Sequence, residues 1–451
     1  MLLALLVGFS IAAHLGFILG FGLPVSIGFA SFIQAHGHVQ LLGWVGLFVM
    51  GMSLHFLPRL AGSPIQQTRY LGYIVWLVSS GLVLRSVGQS VLPYVAQSRL
   101  FSPVLLGVAV SGVLIWLGIL GYVYLLLSTY CRARHAASHA LLAIRPFLAL
   151  TIAGWLLYGA LNLALVVNLA REQHVVVHPA WNQFGIQWFV YLVLLPIAFA
   201  FSIRTFPLYL RLPVASAWVA SIGYAYLLTV LLQVLPTLPP FRVAAPVLTE
   251  TLESVGMLGK GVVVLCFVWQ LDVLTRIRKP WTVNRFAHPG PERRPTRPGL
   301  PDYGEFGRFE WLIYTAYIWL IVGAVVECVA GVGRLLHMSF FVLPNVALHI
   351  YLLGFITLLI FGMAVRMVPG FLRKRRIAVP ALVTATFWLG NTATIGRLLL
   401  YFLPAVLVRW IPGLLWVSRV MFALSGLLAM AAVGCLALNL WRTHTQAQRQ
   451  G

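Results

Sequence analysis

His38-Val39-Gln40-Leu41-Leu42-Gly43-Trp44 runs on through Gly51-Met52 to Pro58, and His349-Ile350-Tyr351-Leu352-Leu353-Gly354-Phe355 runs on through Gly362-Met363 to Pro369. The two stretches align without a gap from His to Pro. Each is an apolar run of the length that crosses a bilayer as a helix, about 20 residues. A weaker third copy ends in Arg204-Thr205-Phe206-Pro207. In all three a basic residue stands three before the proline: His55, Arg204 and Arg366.

Runs of the same kind recur from end to end of the 451 residues, which are 61% hydrophobic and only 9% charged. A soluble domain carries roughly 25% charged residues, and a chain of this size in water must cover its surface with polar groups. Only helices and closed barrels satisfy the backbone in lipid, and these runs are too long and too evenly apolar for barrel strands. The fold class is therefore an all-α integral membrane protein, a single transmembrane domain over 1–451. Twelve spans are predicted near 1–28, 35–59, 69–93, 100–130, 142–170, 183–206, 216–238, 256–276, 309–333, 340–370, 377–403 and 410–442. The motif copies fall on spans two, six and ten, so the repeat unit is four helices and the chain reads as three quasi-repeated four-helix units. The following spans carry a companion signal. Arg85 precedes Pro93, Arg397 precedes Pro404 at nearly the same offset, and span seven has Gln233 in that region.

The net charge of +22 does not point to nucleic acid. Arg and Lys gather in short loops after even-numbered spans, which by the positive-inside rule puts both termini in the cytoplasm. A Pro- and Arg-rich stretch, 277–308, reads as a cytoplasmic linker between spans eight and nine. The run Met1–Gly28 lacks the charged start and cleavage site of a signal peptide and is long enough to span. Cys131, Cys266, Cys328 and Cys435 are scattered, without C-x-x-C, haem-attachment or zinc spacing, and read as small core residues. No Walker A, dinucleotide fingerprint or H-E-x-x-H is present.

Ionisable residues inside spans are costly and are functional candidates by default. His36, Gly37 and His38 open the second span. Residues two apart on a helix differ by about 200°, so the two imidazoles point to opposite faces and serve two neighbouring sites, or one ligates while the other bonds a carbonyl. Gly37 leaves room for something flat and bulky. His349 stands at the repeat position of His38, so the pair His38 and His349 is the expected axial couple of one haem iron. His14, midway along the first span, is a weaker candidate. Arg85 and Arg397 lie inside apolar runs and need anionic partners, which haem propionates or Glu327 would supply; Glu327 could also carry a proton. His55 lies 17 residues beyond His38, about 25 Å along the axis. With Arg204 and Arg366 it belongs to the inner ends, where cations snorkel.

These residues resemble the NnrS family of membrane proteins associated with the nitric oxide response, and more distantly subunit I of the heme-copper oxidases. His36-Gly37-His38-Val39-Gln40 with Gly43-Trp44 matches the family's second-span motif in register. Arg204-Thr205-Phe206-Pro207-Leu208 matches its sixth-span ending. Ala347-Leu348-His349 with Gly354, and Gly362-Met363 with Arg366 and Gly370, match its tenth span. Val39 replaces the family's Glu, and Phe371 a family His, which removes side chains from a second metal position. Against oxidase subunit I, the chain lacks a His-His pair on span seven and a His-x-His on span ten, which argues against a complete haem–copper centre that reduces oxygen. The resemblance implies a bacterial inner-membrane protein that binds haem, with copper as a second metal and nitric oxide or another small diatomic as ligand, and that serves nitric oxide response or tolerance. Two other functions stay open on the residues alone: a quinol-linked electron-transfer subunit with a redox partner, and a transporter.

Overall fold

A computed structural model describes residues 3–132, 139–216, 218–278, 304–338 and 344–446. The linker expected at 277–308 lies mostly outside them. The described chain is a bundle of long helices: α1 (Ala4–Phe21), α2 (Phe29–Ala61), α3 (Tyr70–Val95), α4 (Phe101–Cys131), α5 (Leu142–Arg171), α6 (Pro179–Tyr209), α7 (Trp218–Thr237), α8 (Pro246–Leu271), α9 (Phe309–Leu335), α10 (Asn345–Phe371), α11 (Pro380–Phe402) and α12 (Gly413–Thr445). Eleven are long and apolar enough to cross a membrane. The exception is α11, whose 23 residues include Thr386, Asn391, Thr394 and Arg397; these lower its hydropathy without shortening it. The chain is a multi-pass α-helical membrane protein.

Local chemistry explains where helix ends depart from expectation. The first span stops at Phe21 because Gly22 takes a left-handed conformation (φ 65°) that ends the helix. α8 starts ten residues earlier than the apolar run suggests, because Pro246 occupies its first turn, where a missing N–H costs nothing.

The packing is three helices inside nine. In α6 and α10, 89% and 83% of the spanning window is buried, and in α2 61%, against 39–44% in the other candidate spans. These inner helices carry the three motif copies. Around them α1 packs on α12, α12 on α11, α8 on both α9 and α7, and α5 on both α7 and α4, which continues to α3.

The inner helices share a second feature. Each contains a segment of wider, π-helical turns: Val39–Gly46 in α2, Val190–Leu194 in α6 and Ile350–Thr357 in α10. In α2 and α10 the widened segment starts at the residue after His38 or His349 and is 8 residues long. The sequence repeat is thus also a repeat of backbone geometry. π-turns of this kind are frequent at functional sites.

Close approach of the outer helices depends on glycine. A Cβ on Gly426 of α12 would lie 2.5 Å from the Cα of Ala13 on α1, and one on Gly256 of α8 would lie 2.3 Å from the backbone nitrogen of Gln233 on α7. Gly37 is different, since a Cβ there meets nothing within 4 Å.

Candidate functional site: three compartments between the inner helices

Each pair of inner helices, with the outer helices behind it, encloses a compartment with its own polar chemistry.

The first lies between α2 and α10, backed by α1, α11 and α12. A cavity of about 100 Å³ there is lined by His36, Gln40, Trp44, His349 and Arg397 among apolar groups. The sequence repeat pairs His349 with His38; the fold pairs it with His36. The physical reason is the two-residue offset, which turns His36 toward α10 and His38 away from it. Both imidazoles of this compartment are held the same way. His36 Nδ1 lies 2.9 Å from the carbonyl oxygen of Gly8, and His349 Nδ1 lies 2.6 Å from that of Asn345. A carbonyl only accepts, so each Nδ1 carries the proton and each Nε2 keeps its lone pair free. That is how metal-ligating histidines are oriented. Arg397 places its guanidinium 4.3 Å over the Phe422 ring. Among the described residues it has no carboxylate partner.

The second compartment lies between α2 and α6, backed by α3 and α5. His38, Arg85, Tyr158, Asn162 and Asn182 line a cavity of about 30 Å³. Arg85 Nε donates to Gln89 Oε1 at 2.8 Å, Gln89 donates to Gln34 Oε1 at 2.6 Å, and Gln34 donates to the carbonyl of Val177 at 2.7 Å. The Val177 N–H donates back to Gln34 at 3.0 Å. Arg85 is therefore anchored through two amides to the backbone before α6. Deeper between α2, α4, α5 and α6 lies a larger apolar cavity of about 390 Å³, with Arg145 and Arg204 among its lining groups.

The third compartment lies between α6 and α10, backed by α7, α8 and α9, and is filled by side chains. Lys260 Nζ and Glu327 Oε1 meet at 2.7 Å with both side chains essentially inaccessible. Tyr191 donates to Glu327 Oε1 at 3.0 Å and Tyr351 to Oε2 at 2.5 Å. Tyr226 donates to the Tyr191 carbonyl at 2.7 Å. Lys260 Nζ also sits 3.2 Å from the centroid of the Tyr191 ring. Glu327 thus pairs with Lys260 rather than with Arg85 or Arg397. Lys260, Tyr191 and Tyr351 are not among the residues the sequence singles out; the one available signal was a lone lysine close to the start of an apolar run.

The remaining candidates lie elsewhere. His14 is exposed on α1, edge-on to Phe32 at 6.0 Å, and lines none of these cavities. His55, Arg204 and Arg366 sit at the far ends of the inner helices from His36 and His349. His55 stacks on Phe371 at 3.7 Å, and Arg366 lies over Phe306 and Tyr209 at 4.2 and 4.6 Å. Among the described residues no three His, Cys, Asp or Glu side chains gather as a metal site.

The fold has a known counterpart. The chain superposes over its whole length on 82% of a chain from the cryo-EM structure of a heme-copper terminal oxidase dimer, with a TM-score of 0.61 and 12% sequence identity. The protein has a heme-copper-oxidase-like fold. No protein-family model and no curated protein matches the sequence.

Proposed function

We propose that the chain is a haem-binding membrane protein in which His36 and His349 would hold the iron. The observation that carries this is their shared orientation: two imidazoles across one cavity, each with Nδ1 tied to a backbone carbonyl and Nε2 free. Two neutral imidazoles suit an iron that brings its other four donors with it. Arg397, uncompensated by any described carboxylate and lining the same cavity, suits a propionate.

The cavity, at about 100 Å³, is smaller than the roughly 300–1,000 Å³ of a typical cofactor pocket. Seating a macrocycle therefore requires the helices around the cavity to separate. The likeness to a heme-copper terminal oxidase and the NnrS resemblance support haem. Copper has the same likeness and resemblance behind it, but among the described residues no three ligating side chains gather to hold it.

A haem in this compartment would supply one-electron chemistry. The chain's own residues do the rest. The Gly8 and Asn345 carbonyls hold both imidazoles in the ligating tautomer, Arg397 balances anionic charge, and the apolar lining excludes water. Two imidazoles would hold the iron, one from α2 and one from α10. That favours an electron-transfer role, with quinol or a partner protein as donor, over direct binding of the gas. The role in nitric oxide response and placement in a bacterial inner membrane with cytoplasmic termini rest on the resemblance and the loop charges. The transporter reading gains nothing comparable.

The test is the optical and pyridine-hemochrome spectrum of detergent-purified protein expressed with ample haem. A Soret band that is lost in His36→Ala and in His349→Ala supports the assignment. A colourless wild type removes it.

A further inference from the structure

We propose that the second compartment, between His38 and Arg85, is a binding site for a small monovalent anion of the size of chloride, bromide or nitrite. This site is separate from the His36–His349 cavity and does not depend on haem.

Charge comes first. Arg85 is 4% exposed and His38 8%. An arginine keeps its charge under all ordinary conditions, and an uncompensated cation inside a membrane protein is expensive. Among the described residues no carboxylate lies within ion-pair distance of Arg85. Its near partners are neutral: Gln89 on Nε and, behind that, Gln34. The cation needs a counter-charge that the chain does not provide.

The second observation is where the unmet donors are. Arg85 Nη1 and His38 Nε2 are both buried without a hydrogen-bond partner among the described residues, and both residues line the same cavity. Tyr158 Oη lies 3.5 Å from His38 Nδ1, the long limit of a hydrogen bond. Unlike the carbonyls that hold His36 and His349, a hydroxyl can donate. Donation to Nδ1 places the imidazole proton on Nε2, facing the cavity. Two histidines separated by one residue are thereby prepared for opposite tasks: His36 offers a lone pair and His38 offers a proton. The amides of Asn162 and Asn182 complete a lining that holds no acidic group.

Size sets the ligand class. The cavity's volume of about 30 Å³ exceeds the roughly 10–15 Å³ that one water needs on the same measure, so it takes a ligand of one to a few heavy atoms. That admits a halide or a bent triatomic anion such as nitrite, along with formate of like size, and disfavours longer carboxylates, sulfate and gluconate. The anchoring of Arg85 through Gln89 and Gln34 to both polar groups of Val177 fixes the guanidinium before a ligand arrives, which is the preorganisation that lowers the cost of binding.

The experiment is calorimetric titration of the purified full chain with sodium bromide and with sodium nitrite, ionic strength being held with sodium gluconate. Saturable one-to-one binding is expected, weakened at least about ten-fold in Arg85→Gln and in His38→Phe. It should be unchanged in Arg334→Gln, which removes a cation elsewhere, and retained in the His36→Ala/His349→Ala double variant. Flat titrations of the wild type would mean the cavity holds water only and would overturn the proposal. So would wild-type affinity in Arg85→Gln. Should that variant fail to fold, bromide anomalous scattering from wild-type crystals decides: a peak between Arg85 and His38 supports the site, and its absence at saturating bromide rejects it.

Discussion

Lys260 and Glu327 form a closed ion pair at 2.7 Å between α8 and α9, with side-chain exposures of 0% and 1%. Both Glu327 oxygens are used, one by Lys260 and Tyr191 and the other by Tyr351. Removing one member strands a buried charge, which costs about 3–5 kcal/mol, whereas replacing both by apolar groups is often neutral. Glu327→Leu should therefore lower the melting temperature in detergent sharply, and Lys260→Met/Glu327→Leu should recover most of the loss. A double variant that melts no higher than the single one would show that the pair is not the reason for the destabilisation.

His38 and His36 should behave differently toward haem. On the assignment above, His38→Ala keeps the Soret band within about the wild-type yield, while His36→Ala loses it. Loss in His38→Ala with retention in His36→Ala would restore the pairing that the sequence repeat suggests.

Helix contact through glycine predicts a graded response. Gly256→Ala and Gly426→Ala force backbone apart and should each cost about 1–3 kcal/mol, the usual range for overpacking. Gly37→Ala and Gly434→Ala meet nothing within 4 Å and should melt like the wild type. Equal effects at all four positions would contradict the packing described.

Orientation can be read from one thiol. Cys131 is exposed at the end of α4, beside Arg132, on the face that the loop charges assign to the cytoplasm. A membrane-impermeant maleimide should label it in inside-out vesicles and leave it unlabelled in right-side-out ones, with the other three cysteines replaced by serine. The reverse pattern would invert the topology.

The helical class, the number of long helices and the fourfold spacing of the inner ones were all legible in apolar run length and in the His-to-Pro repeat. The repeat also marked both helices that carry the proposed haem ligands. What it could not supply was which of two histidines faces α10. Register along a helix fixes the angle between His36 and His38, but only packing fixes the angle of either to a neighbour. Lys260 was hidden for a related reason: the apolar run begins near 256, while Pro246 starts the helix ten residues, nearly three turns, earlier. A residue that looked terminal is therefore interior. The pairing of Glu327 with Lys260 depends on contact between α8 and α9, which no local pattern encodes.

The three compartments are built on one plan yet share almost no polar side chains, because each inner helix turns opposite sides to its two neighbours. The arrangement isolates faults. A damaging change behind Arg85 leaves the imidazole couple on the far side of α2 in place, and a broken ion pair at Lys260 spares both. Such a body lets the contents of one chamber change without rebuilding the walls of the other two.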